Sequence, residues 1–386
     1  MAWAILGASV LTRTGESFAS LGRTVTGTWG PNMVQPHPAI YYNSPGSANG
    51  RHALQPVQSS VAVSLQYDPK KKGLLWYRTF MVDFHGDYDL ENPTPITQTL
   101  YVNFQFPSAG ASYSDFSFIL NGVRSTENNK TAEGIAEAVT LAPGQKAKFS
   151  VAYKSRGTDR WGYSFGNTTR IRNFQLVMKT DFAEIDFPPA TASPTERKQT
   201  VDGWTLKWSY PDVINAQGIA MEMPSVVNPG PVASRMSFFA PVSLIFFFSV
   251  ILLIGTVRRV NLHPMNYFFL AAGCFAFQLL FAYLVDLIPL LLAFAISAAV
   301  SLLLVSGYLF LATDRRFART GAVAQFAFMV LFSYSFFFQG LTGLMITIGA
   351  IITLALLMIT TARVNWADKF ASNATPGVPP RLPTKA

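Results

Sequence analysis

Hydrophobic and polar positions follow two different rules along this chain. From about residue 58 to residue 210 they alternate. "SVAVSLQY" puts Val61, Val63, Leu65 and Tyr67 on one side, and "TLYVNFQF" does the same with Leu100, Val102, Phe104 and Phe106. "DFSFIL", "KFSVAY" and "NFQLVM" repeat the pattern, and "DGWTLKWSY" aligns Trp204, Leu206, Trp208 and Tyr210. A period of two is the mark of a strand with one buried face. "YDPKKKG", "ENPTP", "FPSAG" and "LAPGQ" supply turn chemistry between these runs. Short strands punctuated in this way predict an antiparallel β-sandwich-like domain over residues 15–236. Within it, "TENNKTAEGIAEAV" is expected to include a short helix, and "FPPATASPTERKQTVDG" reads as a long loop. No internal repeat is visible.

After residue 236 the alternation gives way to unbroken apolar runs. Crossing about 30 Å of hydrocarbon takes about 20 apolar residues as a helix. Five segments meet that length, at about 237–257, 265–285, 288–312, 320–338 and 341–361. "HPMNYFFLAAGCFAFQLLFAYLVD" would extend about 36 Å as a helix and shows no polar face, which a soluble helix of that length needs. The fold class is therefore mixed: an extracytoplasmic β domain, then a polytopic bundle of five helical spans.

Charge gives the bundle a direction. Residues 237–362 hold seven charged side chains: Arg258, Arg259, Asp286, Asp314, Arg315, Arg316 and Arg319. The arginines fall in alternate connections, "RRVNLHP" and "DRRFAR", whereas "DLIP" and "QGLT" have none; Arg363 and Lys369 follow the last span. The positive-inside rule assigns the basic connections to the cytoplasm. Residues before 237 are then expected in the periplasm, and 363–386, rich in proline and small residues, as a disordered cytoplasmic tail. The formal net charge of +9 is largely this topology signal, with attraction to anionic headgroups, and no nucleic-acid partner is expected.

The amino terminus fits neither rule. "MAWAILGASVL" is too short to cross a bilayer and lacks the basic start of a signal peptide. Residues 1–14 are read as the remnant of an N-terminal hydrophobic anchor, a sixth span truncated here. The single cysteine, Cys274, rules out an intramolecular disulfide. The Asn-x-Thr triplets at Asn129 and Asn167 are expected to be accidental.

Several stretches together resemble one family, the bacterial inner membrane protein CreD family of cell envelope integrity proteins. They are "GLLWYRTFMVDFHGDY", "SRGTDRWGYSF", "FFAPVSLIFFF", "HPMNYFFLAAGCFAFQLLFAYLVD" and "GLTGLMITIGAIITLALLMITTARVNW". The resemblance implies an N-terminal anchor, a periplasmic β-rich domain, a C-terminal helical bundle, and a role in the envelope stress response with no established reaction. This chain departs from it by lacking the full anchor, and by carrying Gln278 and Leu287 where the family carries histidine. Those replacements count against a proton relay or metal site on the second span.

Candidate chemistry is sparse. No Ser-His-Asp order, G-x-S-x-G, Walker loop or H-E-x-x-H is present, so no catalytic residue, cofactor or metal is expected. His37, His52 and His85 match no ligand spacing. "DFHGDYDLE" sets Asp83, His85, Asp87, Asp89 and Glu91 on one strand face, which reads better as a strand entering an exposed turn than as a cation site. The polar membrane positions singled out are Asn266, Gln278, Asp286 and Gln339. Interhelical hydrogen bonds are expected for Gln278 and Gln325, and an end-marking or loop-capping role for Asp286. Trp76, Tyr77, Trp161, Tyr163, Trp204 and Trp208 could line a glycan or lipid groove but fit core packing better. The expected partners are the phospholipid bilayer and a periplasmic protein, lipid or glycan. The reading is a non-enzymatic envelope-integrity factor; the alternative is a transporter or lipid-handling bundle with an accessory β domain.

Overall fold

The computed structural model describes residues 1–44, 46, 50–73, 75–125, 130, 131, 133–166, 168, 170–260, 262–338, 340 and 342–362. It divides into two compact units. One comprises Ser17–Val227; the other joins Met1–Glu16 to the described residues from Asn228 onward.

In the first unit the alternating stretches form strands. An eight-stranded sheet runs, in spatial order, Val123–Arg124, Tyr113–Leu120, Lys146–Thr158, Thr79–Glu91, Gln58–Tyr67, Arg170–Thr180, Trp204–Ile214 and Glu196–Gln199. A five-stranded sheet runs Lys130–Thr131, Gly134–Leu141, Gln98–Gln105, Ala39–Asn43 and Arg51–Leu54. Val61, Val63, Phe84, Tyr88 and Phe149 of the larger sheet and Leu100, Val102, Phe104 and Ile135 of the smaller one enter a single buried core. Phe84 and Phe104 meet across it, ring centroids 6.1 Å apart. Fully burying each such side chain is worth about 1.5–3 kcal/mol, which is what holds the two sheets face to face.

The expected antiparallel β-rich domain is present, and two narrower expectations for this unit are corrected. Pairing is mostly antiparallel, but Gln58–Tyr67 runs parallel to Arg170–Thr180, and Met33–Pro36 parallel to Arg160–Ser164. Long crossovers between those partners permit this, and crossover length is not legible in strand periodicity. "GIAEAVTL" is a strand, Gly134–Leu141, where a helix was expected: Ile135 and Leu141 are buried and the whole stretch pairs with Gln98–Gln105. Cross-strand pairing has overridden the alanines' helix preference. The expected long loop contains an edge strand, Glu196–Gln199.

Among the described residues, five helices in the other unit are long and apolar enough to cross a membrane: Pro229–Arg258, Pro264–Leu284, Leu290–Ala312, Arg315–Phe337 and Thr342–Ile359, spans one to five below. Span one begins earlier than the expected 237 because Pro229 and Pro231 occupy the first turn, where a missing N–H costs nothing. The expected boundary at 236 therefore lies inside this helix. Span two starts on Pro264, with His263 Nδ1 accepting from the Met265 amide. Span four is capped by Asp314, which accepts from Arg316 and Phe317. Span four is not uniform: Arg315–Gln325 is α-helical, Phe326–Leu331 forms a π-helix and Ser335–Phe337 a 3₁₀ turn. Span five buries only 6% of its most apolar window, against 33–44% for the others.

The amino-terminal residues are helical too, within a helix spanning Ala2–Trp29. Trp3 meets Phe275 edge-on at 5.2 Å, the Ser234 hydroxyl donates to the Gly7 carbonyl at 2.8 Å, and Val10 is buried with Val232, Phe281 and Val285. The expectation that this segment stops near residue 14 and gives way to β-structure is thereby corrected. Polar residues from Thr12 onward end the apolar run but not the helix. The expected disordered tail, 363–386, lies outside the described residues.

Candidate functional site

The buried side chains of the bundle fall into two apolar clusters. One gathers Met236, Phe277, Phe281, Phe294 and Phe336, the other Phe247, Leu270, Cys274, Val305, Leu309 and Phe317. Buried polar groups are interspersed among these apolar residues in spans one to four, including Ser243, Gln278, Ser297, Ser301 and Gln325. At 1.5 Å per residue, Ser301 and Gln325 sit about 15 Å along their helices from the arginine-bearing connection, half of a hydrocarbon core. Gln325 Nε2 donates to the Ser301 carbonyl at 3.0 Å and lies 3.1 Å from its hydroxyl. The Ser301 hydroxyl donates to the Gly273 carbonyl at 2.8 Å. A side chain on Gly273 would put its Cβ 2.6 Å from Val305 Cγ2, so the glycine permits this approach of spans two and three. Ser243 contacts Met329 of the π-helical segment, Oγ to Sδ at 3.3 Å.

The interhelical bond expected for Gln325 is present, and that expected for Gln278 is not. Gln278 is fully buried, and among the described residues neither its Oε1 nor its Nε2 has a partner. It shares a helical face with Cys274, Phe281 and Val285, all buried, of which only the Cys274 thiol is even weakly polar. Asn266 accepts from the Tyr308 hydroxyl at 2.8 Å, tying span two to span three near the arginine-bearing end. Asp286, which has no charged neighbour in the local sequence, is paired: Arg13 Nη2 lies 2.6 Å from its Oδ2 and 3.0 Å from the Ala282 carbonyl oxygen. Gln339 lies outside the described residues, as do Asn129 and Asn167.

A second candidate is in the β-rich unit. Strand register sets Ser64, Asp83, Lys154 and Ser114 in one row across four strands of the eight-stranded sheet, on its exposed face. Arg156, two residues beyond Lys154, stands over the Trp29 ring at 5.0 Å. The backbone around Gly30 packs so tightly on this strand that a Cβ there would lie 2.3 Å from the Arg156 carbonyl oxygen, and Gly30 has φ +99°. These residues bound a groove of about 670 Å³, within the usual range of ligand sites.

The acidic run "DFHGDYDLE" forms a charge ladder with the next strand. Lys148 Nζ lies 3.4 Å from Asp87, and Lys146 Nζ 3.7 Å from Glu91. Among the described residues no group of three or more His, Cys, Asp or Glu side chains could hold a metal. His37 bonds through Nδ1 to the Tyr163 hydroxyl at 2.8 Å, and Tyr163 continues to Tyr88 at 3.1 Å. Burial lowers the His37 imidazole to about 4. Trp161, Tyr163 and Trp208 are core residues, whereas Trp76 is exposed. Trp29, on the groove, was not singled out in the sequence, because only the register of distant strands reveals what surrounds it.

A β-rich domain joined to five spans with a polar interior layer defines a polytopic helical membrane protein. Residues 208–367 match the family model described as "Inner membrane protein CreD". The match takes in all five spans and is consistent with a CreD family membrane protein. No curated protein matches the chain. Among solved structures, a putative nutrient binding protein from Legionella pneumophila subsp. pneumophila str. Philadelphia 1 is similar at 10% identity and a TM-score of 0.38, over 68% of this chain and 98% of that one.

Proposed function

We propose that this is a non-enzymatic inner-membrane protein of cell envelope integrity, whose β domain binds an envelope component on the periplasmic side. The observation that carries the reading is the groove beside Trp29, which presents an ordered row of polar side chains to solvent. The orientation rests on Arg258, Arg259, Arg315, Arg316 and Arg319 flanking two connections while those at Val285–Pro289 and after Phe337 carry none. In this reading the spans anchor and orient the domain. The resemblance to CreD supports an envelope role.

The test is complementation of a strain lacking the protein, scored by envelope sensitivity. Replacing residues 17–227 with a flexible linker should abolish rescue, and substituting Asp286 and Gln278 together should preserve it. The reverse pattern overturns the reading. A second reading, transport or lipid handling by the bundle, is favoured by the unpartnered Gln278 and by the π-helical interruption of span four, since π-bulges recur at functional sites. Reconstituted flux lost on Gln278→Leu would establish it.

A further inference from the structure

The groove's chemistry goes further than the presence of a site. Among the described residues, neither Asp83 nor Arg156 has an ion-pair partner, although both are exposed on the same sheet face. Lys154, directly opposite Asp83 and two residues before Arg156, pairs with Asp115 at 3.0 Å and also feels the Asp83 charge. The groove thus presents a guanidinium resting on Trp29 and, on the adjacent strand and offset by two residues, a carboxylate whose charged neighbour is the Lys154 ammonium across the strand pair.

Arg156 is held before any ligand arrives. Its guanidinium rests on the Trp29 ring, and its backbone is clasped by Gly30. Stacking an arginine on an aromatic face lowers the rotamer entropy lost on binding and leaves its N–H edge free for a bidentate oxyanion. Trp29 has a second cation, Lys70, 4.9 Å from its ring. The indole therefore serves as a support for cations and not as a stacking platform for a ligand ring. Asp83 can only accept hydrogen bonds when ionised, so it calls for donors such as paired hydroxyls. Ser64 and Ser114, at the two ends of its row, add hydroxyls, that of Ser114 donating to the Lys154 carbonyl at 3.5 Å and keeping its lone pairs as acceptors. Of the aliphatic residues along the groove, Val82 turns its side chain into the core and Met81 is half-buried, so most side chains it presents are polar or aromatic.

We propose that the groove beside Trp29 binds a carbohydrate bearing an anionic group, Arg156 receiving the anion while Asp83 and the flanking serines receive sugar hydroxyls. This rests on the reading that the β domain is a binding domain, and it names the ligand class. A carboxylate or a phosphate on the sugar would satisfy Arg156 equally, so the probes separate them.

The experiment is calorimetric titration of the full chain in nanodiscs. The probes are a hyaluronan tetrasaccharide, which carries carboxylates, glucose 6-phosphate, neutral chitotetraose, inorganic phosphate and an acidic tetrapeptide. At least one of the two charged sugars should bind tenfold or more tighter than chitotetraose, phosphate and the peptide. Arg156→Gln should remove that preference, Arg156→Lys should keep part of it, and Asp83→Asn should weaken the charged sugar without abolishing the preference. Equal binding of inorganic phosphate or peptide, or indifference to Arg156→Gln, overturns the proposal. If the proposal fails while complementation still depends on residues 17–227, the domain binds its partner elsewhere and the broader reading stands.

Discussion

Arg13 and Asp286 form an ion pair 2.6 Å long within the helical unit, the arginine also donating to the carbonyl of Ala282. Arg13 lies over the Tyr283 ring as well, 5.6 Å from its centroid. Three contacts on one guanidinium fix the amino-terminal helix against the end of span two. Both charges keep some solvent access, so the pair itself should be worth about 1 kcal/mol. Arg13→Gln and Asp286→Asn should each lower the melting temperature in nanodiscs, and the double variant should lose less than their sum. Additive losses would show that the two side chains do not act on each other.

Gln278 and Gln325 are chemically identical and should respond oppositely to the same substitution. Gln278→Leu removes an amide whose two polar atoms are buried without partners, and should stabilise the protein by about 1–3 kcal/mol. Gln325→Leu removes a donor to Ser301, and because its Oε1 is buried without a partner among the described residues the net cost should be no more than about 0.6 kcal/mol. Denaturation in mixed micelles reads both. Loss of stability at Gln278 would show that its amide is satisfied by something bound.

Gly30 tolerates no side chain. Gly30→Ala must relieve a 2.3 Å contact with the Arg156 carbonyl and accommodate φ +99°, so a loss of about 2 kcal/mol or more is expected. Because the displaced backbone carries Arg156, binding of any anionic probe in the groove should weaken together with the melting temperature.

His37 should make the β domain acid-sensitive. The imidazole titrates near 4 in the fold and near 6.5 when unfolded, so between those values the unfolded chain holds the extra proton. Stability is then full above pH 6.5 and falls as pH drops through the window to about 4, by on the order of 3 kcal/mol. Melting curves at pH 7, 6, 5 and 4 should show the fall, and His37→Gln should flatten it.

What could be read from residue order was what depends on near neighbours. Val61, Val63 and Leu65 declare a strand within five residues, and the spans declare themselves by length. Asp286 could not be understood in the same way, because its partner lies at the other end of the chain. The polar row of Ser64, Asp83, Lys154 and Ser114 is equally invisible, since it exists only once four strands have paired in register. The lysines that pair with Asp87 and Glu91 explain an acidic run that in isolation invites a cation-site reading. Gln278 misled for a different reason: burial could be foreseen from its span, but the absence of a partner depends on the rotation of every helix around it.

Span five, more exposed than the other four spans among the described residues, should have its height and inclination set largely by the surrounding acyl chains. Thr342–Thr361 extends about 30 Å, close to the thickness of an average bilayer. In a thinner membrane this helix can lean over at little cost, while spans one to four, locked together by Ser301, Gln325 and their aromatic contacts, resist. Lipid thickness should therefore reach this protein first through its last helix.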